Sequence, residues 1–319
     1  MASAGKECKV RDASACDLAS IVGEAFRWLI DNRAILQPIL GPARYTEHAA
    51  RTWPIVMTLD VDAAARELAS ARLLSRAVGP LPVGLVPANL AEAYAIQARL
   101  HELLSTAGEG PVVGHKIGCT TRVMREKLGI DQPCAGLIHA ARVLAEGSPW
   151  PVAGRIKPSV ECEIAVRLRA DLPVAGTPYD PAKLRGAVAA CMASIELCDD
   201  RYPERERMEV PTLVADDFYN VGCVLGREVA LGQALDLAAL GGGLRINGTE
   251  TGRGRGADIM GHPLNALAWL ADLRAREGQP LKAGEFVTLG SITRSHPVKP
   301  GDRVEIEIEE LGRVGLRIT

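Results

Sequence analysis

Glu161 and Glu163 stand two residues apart in Val160-Glu161-Cys162-Glu163-Ile164, where apolar side chains alternate with them through Val166. In an extended chain such residues share one face, roughly 6.5–7 Å apart, and the apolar set faces the other way. Two carboxylates on a half-buried strand repel each other, and a hard divalent cation with oxygen ligands relieves that repulsion. Glu196 offers a third carboxylate from another strand-like run, flanked by Ile195 and Leu197 pointing the opposite way. The same spacing also fits a solvated sheet face whose acids pair with lysine or arginine. Lys116 lies in a further apolar run, Val112-Val113-Gly114-His115-Lys116-Ile117-Gly118. Lysine is rarely buried without a task, and a desolvated lysine beside a metal can serve as an acid or base. A stem that snorkels to the surface explains it equally well.

Other patterns carry less chemistry. None of the histidines begins an H-x-x-E or H-x-x-x-H run, and His262 before Pro263 reads as a helix start. Ser291 and Thr293 are polar groups at a strand end, with nothing local to mark a nucleophile. Gly252-x-Gly254-x-x-Ala257 only superficially fits a dinucleotide fingerprint, because Arg253 and Arg255 interrupt it and no strand is expected before it. A loop is expected there. The eight cysteines include no C-x-x-C pair, and several sit in apolar runs. Buried reduced thiols in a cytoplasmic protein are expected, rather than a zinc site or a disulfide framework.

The elements that must position these groups belong to a globular chain. Its 319 residues are 47% apolar and 24% charged, with 37 basic against 39 acidic side chains and a net charge of −2. That balance lacks the basic footprint of a nucleic-acid binder. No uncharged apolar run approaches the roughly 18 residues of a membrane span, and Lys6, Glu7 and Lys9 open the chain without a signal-like apolar core. Thirty-two glycines and twenty prolines, mostly between short apolar runs, suit a β-rich fold with many turns.

Residues 1–60 carry seven basic and seven acidic side chains and read as an appendage of unknown role. A helix is expected over 15–32, with Leu18, Val22, Phe26 and Leu29 on one face, and a weaker one over 63–77. After a Pro/Gly-rich link, Asn89 and Glu92 have the spacing of a helix capping box. Leu90, Ile96, Leu100, Leu103 and Leu104 form that helix's apolar stripe, and Gly108 closes it. Asp180-Pro181 is expected to open a helix running toward Cys191. Another is expected over 262–277, closed by Gly278 and Pro280. The tail reads as a meander turning at Ala283-Gly284, Pro300-Gly301-Asp302 and Leu311-Gly312.

Seven stretches, in order, resemble the fumarylacetoacetase superfamily, in its 2-keto-4-pentenoate hydratase and 4-oxalocrotonate decarboxylase branch. They are Val113-Gly114-His115-Lys116-Ile117-Gly118, Leu128-Gly129-Ile130-Asp131-Gln132-Pro133, Lys157-Pro158-Ser159-Val160-Glu161-Cys162-Glu163-Ile164-Ala165, Ile195-Glu196-Leu197-Cys198-Asp199, Val214-Ala215-Asp216-Asp217, Gly261-His262-Pro263-Leu264-Asn265-Ala266 and Val298-Lys299-Pro300-Gly301-Asp302. The likeness covers roughly residues 62–319. It implies an α+β fold, a mixed β-sandwich roll with flanking helices, over 61–319 with a helical part at 61–110. It implies a homo-oligomer that handles a small 2-oxo acid and has no nucleic-acid or membrane partner. By the same resemblance, Glu161, Glu163 and Glu196 bind Mg²⁺ or Mn²⁺ and Lys116 is the active-site lysine.

The resemblance also implies a choice of chemistry. In a hydratase, a 2-hydroxydienoate ketonises by protonation at C5 and water adds at C4. In a decarboxylase, the same enolate forms by loss of CO₂. The Leu128–Pro133 segment favours the hydratase, and a C–C bond hydrolase ranks third for want of a His–Glu lid pair. Two departures from the family pattern stand out. Cys134 occupies the place where hydratases carry aspartate and decarboxylases an aliphatic residue. Ala215-Asp216-Asp217-Phe218-Tyr219 stands where Ala-Asp-Asn-Ala-Ser is usual, which places Tyr219 over the serine. Cys134, Asp216, Tyr219 and Ser291 are therefore candidates for the substrate pocket.

Overall fold

In a computed structural model of the protein, residues 58–205 and 208–319 are described. The helix expected over 15–32 lies outside the described residues. Helix α1 (Val61–Leu73) opens on Asp60, whose carboxylate accepts a hydrogen bond from the Ala63 amide at 2.9 Å. It stops short of the expected Ala77, where Ser75 turns the chain at φ 48°. Helix α2 (Leu90–Leu104) is capped by Asn89, which accepts from the Glu92 amide at 3.0 Å. Glu92 reaches back to the Ala88 amide at 2.7 Å, so the capping pair is reciprocal. The two helices pack on each other through Ala64, Leu68, Ile96 and Leu100, all fully buried.

Strand β1 (Val112–Gly118) runs into α3 (Arg122–Leu128) and then β2 (Cys134–His139), followed by β3 (Val143–Leu144) and β4 (Pro149–Trp150). The long strands β5 (Pro158–Leu168) and β6 (Val188–Asp199) flank the short α4 (Pro181–Leu184). Next come α5 (Val210–Ala215), β7 (Asn220–Leu225), β8 (Val229–Ala230), β9 (Gly241–Ile246) and β10 (Thr249–Arg255). Helix α6 (Pro263–Arg276) precedes β11 (Phe286–Ser291), β12 (His296–Pro297), β13 (Arg303–Ile308) and β14 (Gly312–Ile318).

Among the described residues these strands form two sheets. The larger follows the order β2-β1-β11-β5-β6-β7-β3, with β12 on β5 and β8 on β6. The smaller follows β10-β9-β13-β14-β4. Cys162, Ile164, Ile195 and Leu197 from the first sheet share one core with Val304, Ile306 and Val314 from the second. This is the α+β sandwich roll with flanking helices. Helix α6 adds Leu264, Leu267 and Leu270 to the same core, with His262 Nδ1 accepting from the Leu264 amide at its start.

Two expectations fail for clear reasons. The helix opened by Asp180-Pro181 ends at Leu184, and Cys191 lies on β6. The alanines there pair along β5, with Arg167 opposite Ala190 and Val166 opposite Cys191, so strand pairing overrides helix propensity. The glycine-rich segment around Gly252 is not a loop but β10, paired with β9 through a turn at Asn247-Gly248. Both turn residues have positive φ, 54° and 81°, as a tight hairpin of this hand requires. A Cβ at Gly254 would stand 1.7 Å from the Ile292 carbonyl oxygen, so close backbone approach demands glycine.

The cap at Asp60 bears on where the self-sufficient part begins. A chain starting at Asp62 loses this cap, whereas one starting at Thr58 keeps it. Urea unfolding should find the shorter chain less stable by about 1 kcal/mol. Both are expected to turn over as the full chain does. Aggregation of the Thr58 chain would instead give the preceding residues a part in the core or in a subunit contact.

Candidate metal centre and active site

Pairing of β5 with β6 sets Glu161 directly opposite Glu196 and Glu163 opposite Ser194. Each of Glu161, Glu163 and Glu196 offers a carboxylate oxygen within 4.8 Å of the others. Glu163 and Glu196 are only 1% and 3% exposed, and Glu163 Oε2 has no hydrogen-bond partner. Burial and the neighbouring Glu196 push the Glu161 carboxyl up to about 7 and hold that of Glu163 well above the usual range.

Lys116 projects from β1 and is 2% exposed. Its Nζ lies 3.4 Å from Glu196 Oε1 and donates to the Phe218 carbonyl at 3.2 Å. Burial alone would lower this ammonium, but Glu196 outweighs it and holds the proton more tightly than usual. Three carboxylates and one ammonium sum to −2. A hard dication matches that charge, the all-oxygen donor set and the orphaned Glu163 oxygen, so these residues fit Mg²⁺ or Mn²⁺.

The segment after α5 carries an unusual backbone. Asp217, Phe218 and Tyr219 all take left-handed φ values, 54°, 49° and 74°, which side-chain-bearing residues avoid. Such a conformation persists only where its surroundings over-determine it. Asp216 is fully buried, meeting Arg72 Nε at 2.5 Å, Tyr202 Oη at 2.7 Å and the Arg201 guanidinium. Asp217 meets Arg72 at 2.7 Å, His101 Nε2 at 3.0 Å and the Leu137 amide at 3.1 Å. Burial alone would raise the Asp217 carboxyl, but His101 and Arg72 hold it well below the carboxylate range. The reward of this clamp is local. It points the Phe218 carbonyl at Lys116 and presents Asn220, whose Nδ2 donates to Glu196 Oε1 at 2.8 Å.

A cavity of about 400 Å³ opens over the cluster. Lys116, the three glutamates, Tyr219 and Ser291 line it, together with Cys119 and Phe218. Tyr219 Oη accepts from the Arg205 guanidinium. Ser291 Oγ donates within its own turn, 2.7 Å from the Thr293 carbonyl. Two pocket candidates are placed elsewhere. Asp216 is spent on the arginine clamp, and Cys134 is buried off the cavity lining, facing Gly118 at the end of the β1–β2 pair. Sequence reasoning missed Arg72, His101, Arg201 and Asn220, because their partners lie far along the chain. The Asp216-Asp217 doublet after an apolar run was the available signal.

Two substitutions separate these roles. Glu163→Gln removes one charge and one ligand at constant volume. Differential scanning fluorimetry should show the parent gaining about 2.7 kcal/mol at Mg²⁺ a hundredfold above Kd, with no gain in the variant. Asp217→Asn should cost about 3–5 kcal/mol at pH 7 by stranding buried cations. The Asp217 contribution is complete above its unfolded value of about 3.9 and fades as pH falls toward its depressed folded value. The gap between parent and variant melting curves should therefore begin to narrow below about pH 4 and close only toward that depressed value.

Comparisons with known proteins agree with this geometry. The sequence profile of the family described as fumarylacetoacetate (FAA) hydrolase C-terminal matches residues 125–319. A 2-keto-4-pentenoate hydratase of Burkholderia vietnamiensis (strain G4 / LMG 22486) is 37% identical over 255 residues, covering 80% of this chain and 96% of that protein. A 4-oxalocrotonate decarboxylase of Pseudomonas putida is 31% identical over 229 residues, covering 72% of this chain and 85% of that one. The solved 4-oxalocrotonate decarboxylase from Pseudomonas putida G7, complexed with magnesium and adipate, superposes with a TM-score of 0.76 at 28% identity. That match spans 85% of this chain and all of the other. With its acidic triad on paired strands, the chain belongs to the fumarylacetoacetate hydrolase family.

Proposed function

We propose that the chain is a divalent-metal-dependent lyase acting on small 2-oxo or 2-hydroxydienoic acids, a hydratase of the 2-keto-4-pentenoate type. One observation carries this reading: a buried triad of glutamates shares a cavity with a lysine that keeps its proton. The hydratase and decarboxylase relatives and a magnesium-bound structural neighbour support it. When bound by Glu161, Glu163 and Glu196, the metal supplies a Lewis acid for negative charge on the substrate's C2 oxygen.

The chain's own residues do the rest. Of the three Lys116 protons, one serves the Phe218 carbonyl and one faces Glu196. The third is free to hold a substrate carboxylate. Asn220 fixes the orientation of Glu196, so the triad is set before substrate arrives. The Phe218 ring stands 5.7 Å from Lys116 Nζ and shields the ammonium from water. Cys134 is buried off the cavity lining, and the neighbouring Cys119 thiol and burial hold its own thiol protonated, so it takes no part as a base.

The decarboxylase reading has one specific support. At Cys134 this chain lacks the hydratase aspartate, and loss of CO₂ needs a stabilised enolate but no activated water. Product analysis on the Mg²⁺-loaded protein decides between them. 2-Hydroxypenta-2,4-dienoate should yield 4-hydroxy-2-oxopentanoate, and 2-oxo-3-hexenedioate should be left without CO₂ release. Release of CO₂ as the faster reaction would make the chain a decarboxylase, and inertness toward both would end the lyase reading. Lys116→Met should lower kcat by about 10²–10⁴.

A homo-oligomer in the cytoplasm completes the proposal. Val123 and Met124 stand 76% and 42% exposed on α3 beside the cavity, apolar surface that a second subunit would cover. The described cysteines are all free thiols, as a reducing compartment keeps them. Among the described residues no helix is long and apolar enough to cross a membrane.

A further inference from the structure

Cys119 and Cys134 stand apart from the other described thiols. Cys134 is the first residue of β2 and pairs directly with Gly118, the last residue of β1, so Cys119 sits one step beyond that pair. Facing Cα atoms of an antiparallel ladder are about 4.5–5.5 Å apart. Cys119 leaves the strand directly after the residue that faces Cys134, so the two side chains start from neighbouring backbone positions. Each thiol is the strongest single influence on the other's ionisation. Cys119 is half-buried, lines the cavity and takes a left-handed φ of 59°, whereas Cys134 is 1% exposed behind it. The Lys116 ammonium lines the same cavity as Cys119 and acts on both thiols, but only Cys119 is accessible from the cavity.

We propose that Cys119 and Cys134 form a redox modification site, in which a hydroperoxide small enough to enter the cavity oxidises Cys119 and Cys134 resolves it as a disulfide. The Cys119 sulfur attacks the peroxide O–O bond, keeping one oxygen as sulfenic acid while the other leaves as hydroxide and takes up a proton. The Cys134 sulfur then displaces that oxygen as water. In sum, two thiols lose two electrons and two protons, and one hydrogen peroxide becomes two waters. This arrangement, an accessible thiol beside a cation with a resolving thiol in contact, is the one that redox-sensing cysteines share. Contact with Cys134 and the Lys116 charge also hold the Cys119 thiol below its ordinary value. The other described thiols lack a thiol partner of this kind. Cys198 also lines the cavity, but burial and the three glutamates hold it protonated.

The bond would draw the Cys119 sulfur into the wall beside Lys116, and turnover should fall with it. That consequence rests on the lyase reading, whereas the bond itself does not. Trypsin separates the two cysteines, placing Cys119 in the peptide 117–122 and Cys134 in 128–142. After treatment of the full chain with hydrogen peroxide and alkylation, mass spectrometry should find these peptides joined and two hydrogens lighter. Dithiothreitol should separate them. Cys134→Ser should leave Cys119 as a sulfenic acid that dimedone traps, and Cys119→Ser should abolish the cross-link. Peroxide that joins Cys198 to either residue, or that leaves Cys119 alkylated like Cys191, would overturn the proposal. A cross-link forming in a protein inert toward every 2-oxo acid would sink the lyase reading and leave the redox site standing.

Discussion

Mutual repulsion among Glu161, Glu163 and Glu196 governs this structure. Two neighbouring strands direct three carboxylates at one point, and burial removes the water that would otherwise screen them. Uncompensated, such a cluster would force at least part of itself to hold protons, which is the state the raised Glu161 and Glu163 carboxyls describe. Compensation comes from Lys116 at one corner, and the proposed dication would complete it. The flat pairing of β5 with β6 is therefore an electrostatic device as well as a core element. Its apolar face, Cys162, Ile164, Ile195 and Leu197, secures the strands against the second sheet while the other face stores the charge.

A second constraint works at one remove from the metal. The left-handed run Asp217-Phe218-Tyr219 is held by Arg72 of α1 and His101 of α2, which meet Asp217, and by Arg205 of the loop after β6, which meets the Tyr219 hydroxyl. Side chains whose charge is balanced inside the protein can tolerate such a conformation, whereas solvated ones would relax it. The Asp217 carboxylate and the Tyr219 phenol each have a partner nearby. His101 and Arg72 meet the carboxylate, and Arg205 meets the phenol.

Legibility of the sequence followed the range of the interactions. The period-two alternation around Glu161 and Glu163, the Asn89–Glu92 cap and the His262 helix start are local patterns, and their elements stand where the pattern put them. Glu196 was legible because its own flanking residues alternate. The Asp216–Arg72 pair joins residues 144 apart, and no local spacing announces it. Strand β10 escaped notice because its glycines and arginines lie on a mostly exposed hairpin, where hydrophobic alternation is absent. The misjudged helix before Cys191 shows the same limit from the other side, since alanine-rich sequence becomes strand when a long partner lies alongside.

Arg72 ties α1 to the site through three groups at once. Its guanidinium spans Asp216 and Asp217 and also donates to the Asn220 carbonyl at 3.3 Å, while the Asn220 side chain holds Glu196. Fraying of the last turn of α1 would therefore release both aspartates and the Asn220 carbonyl together, and with them the group that orients Glu196.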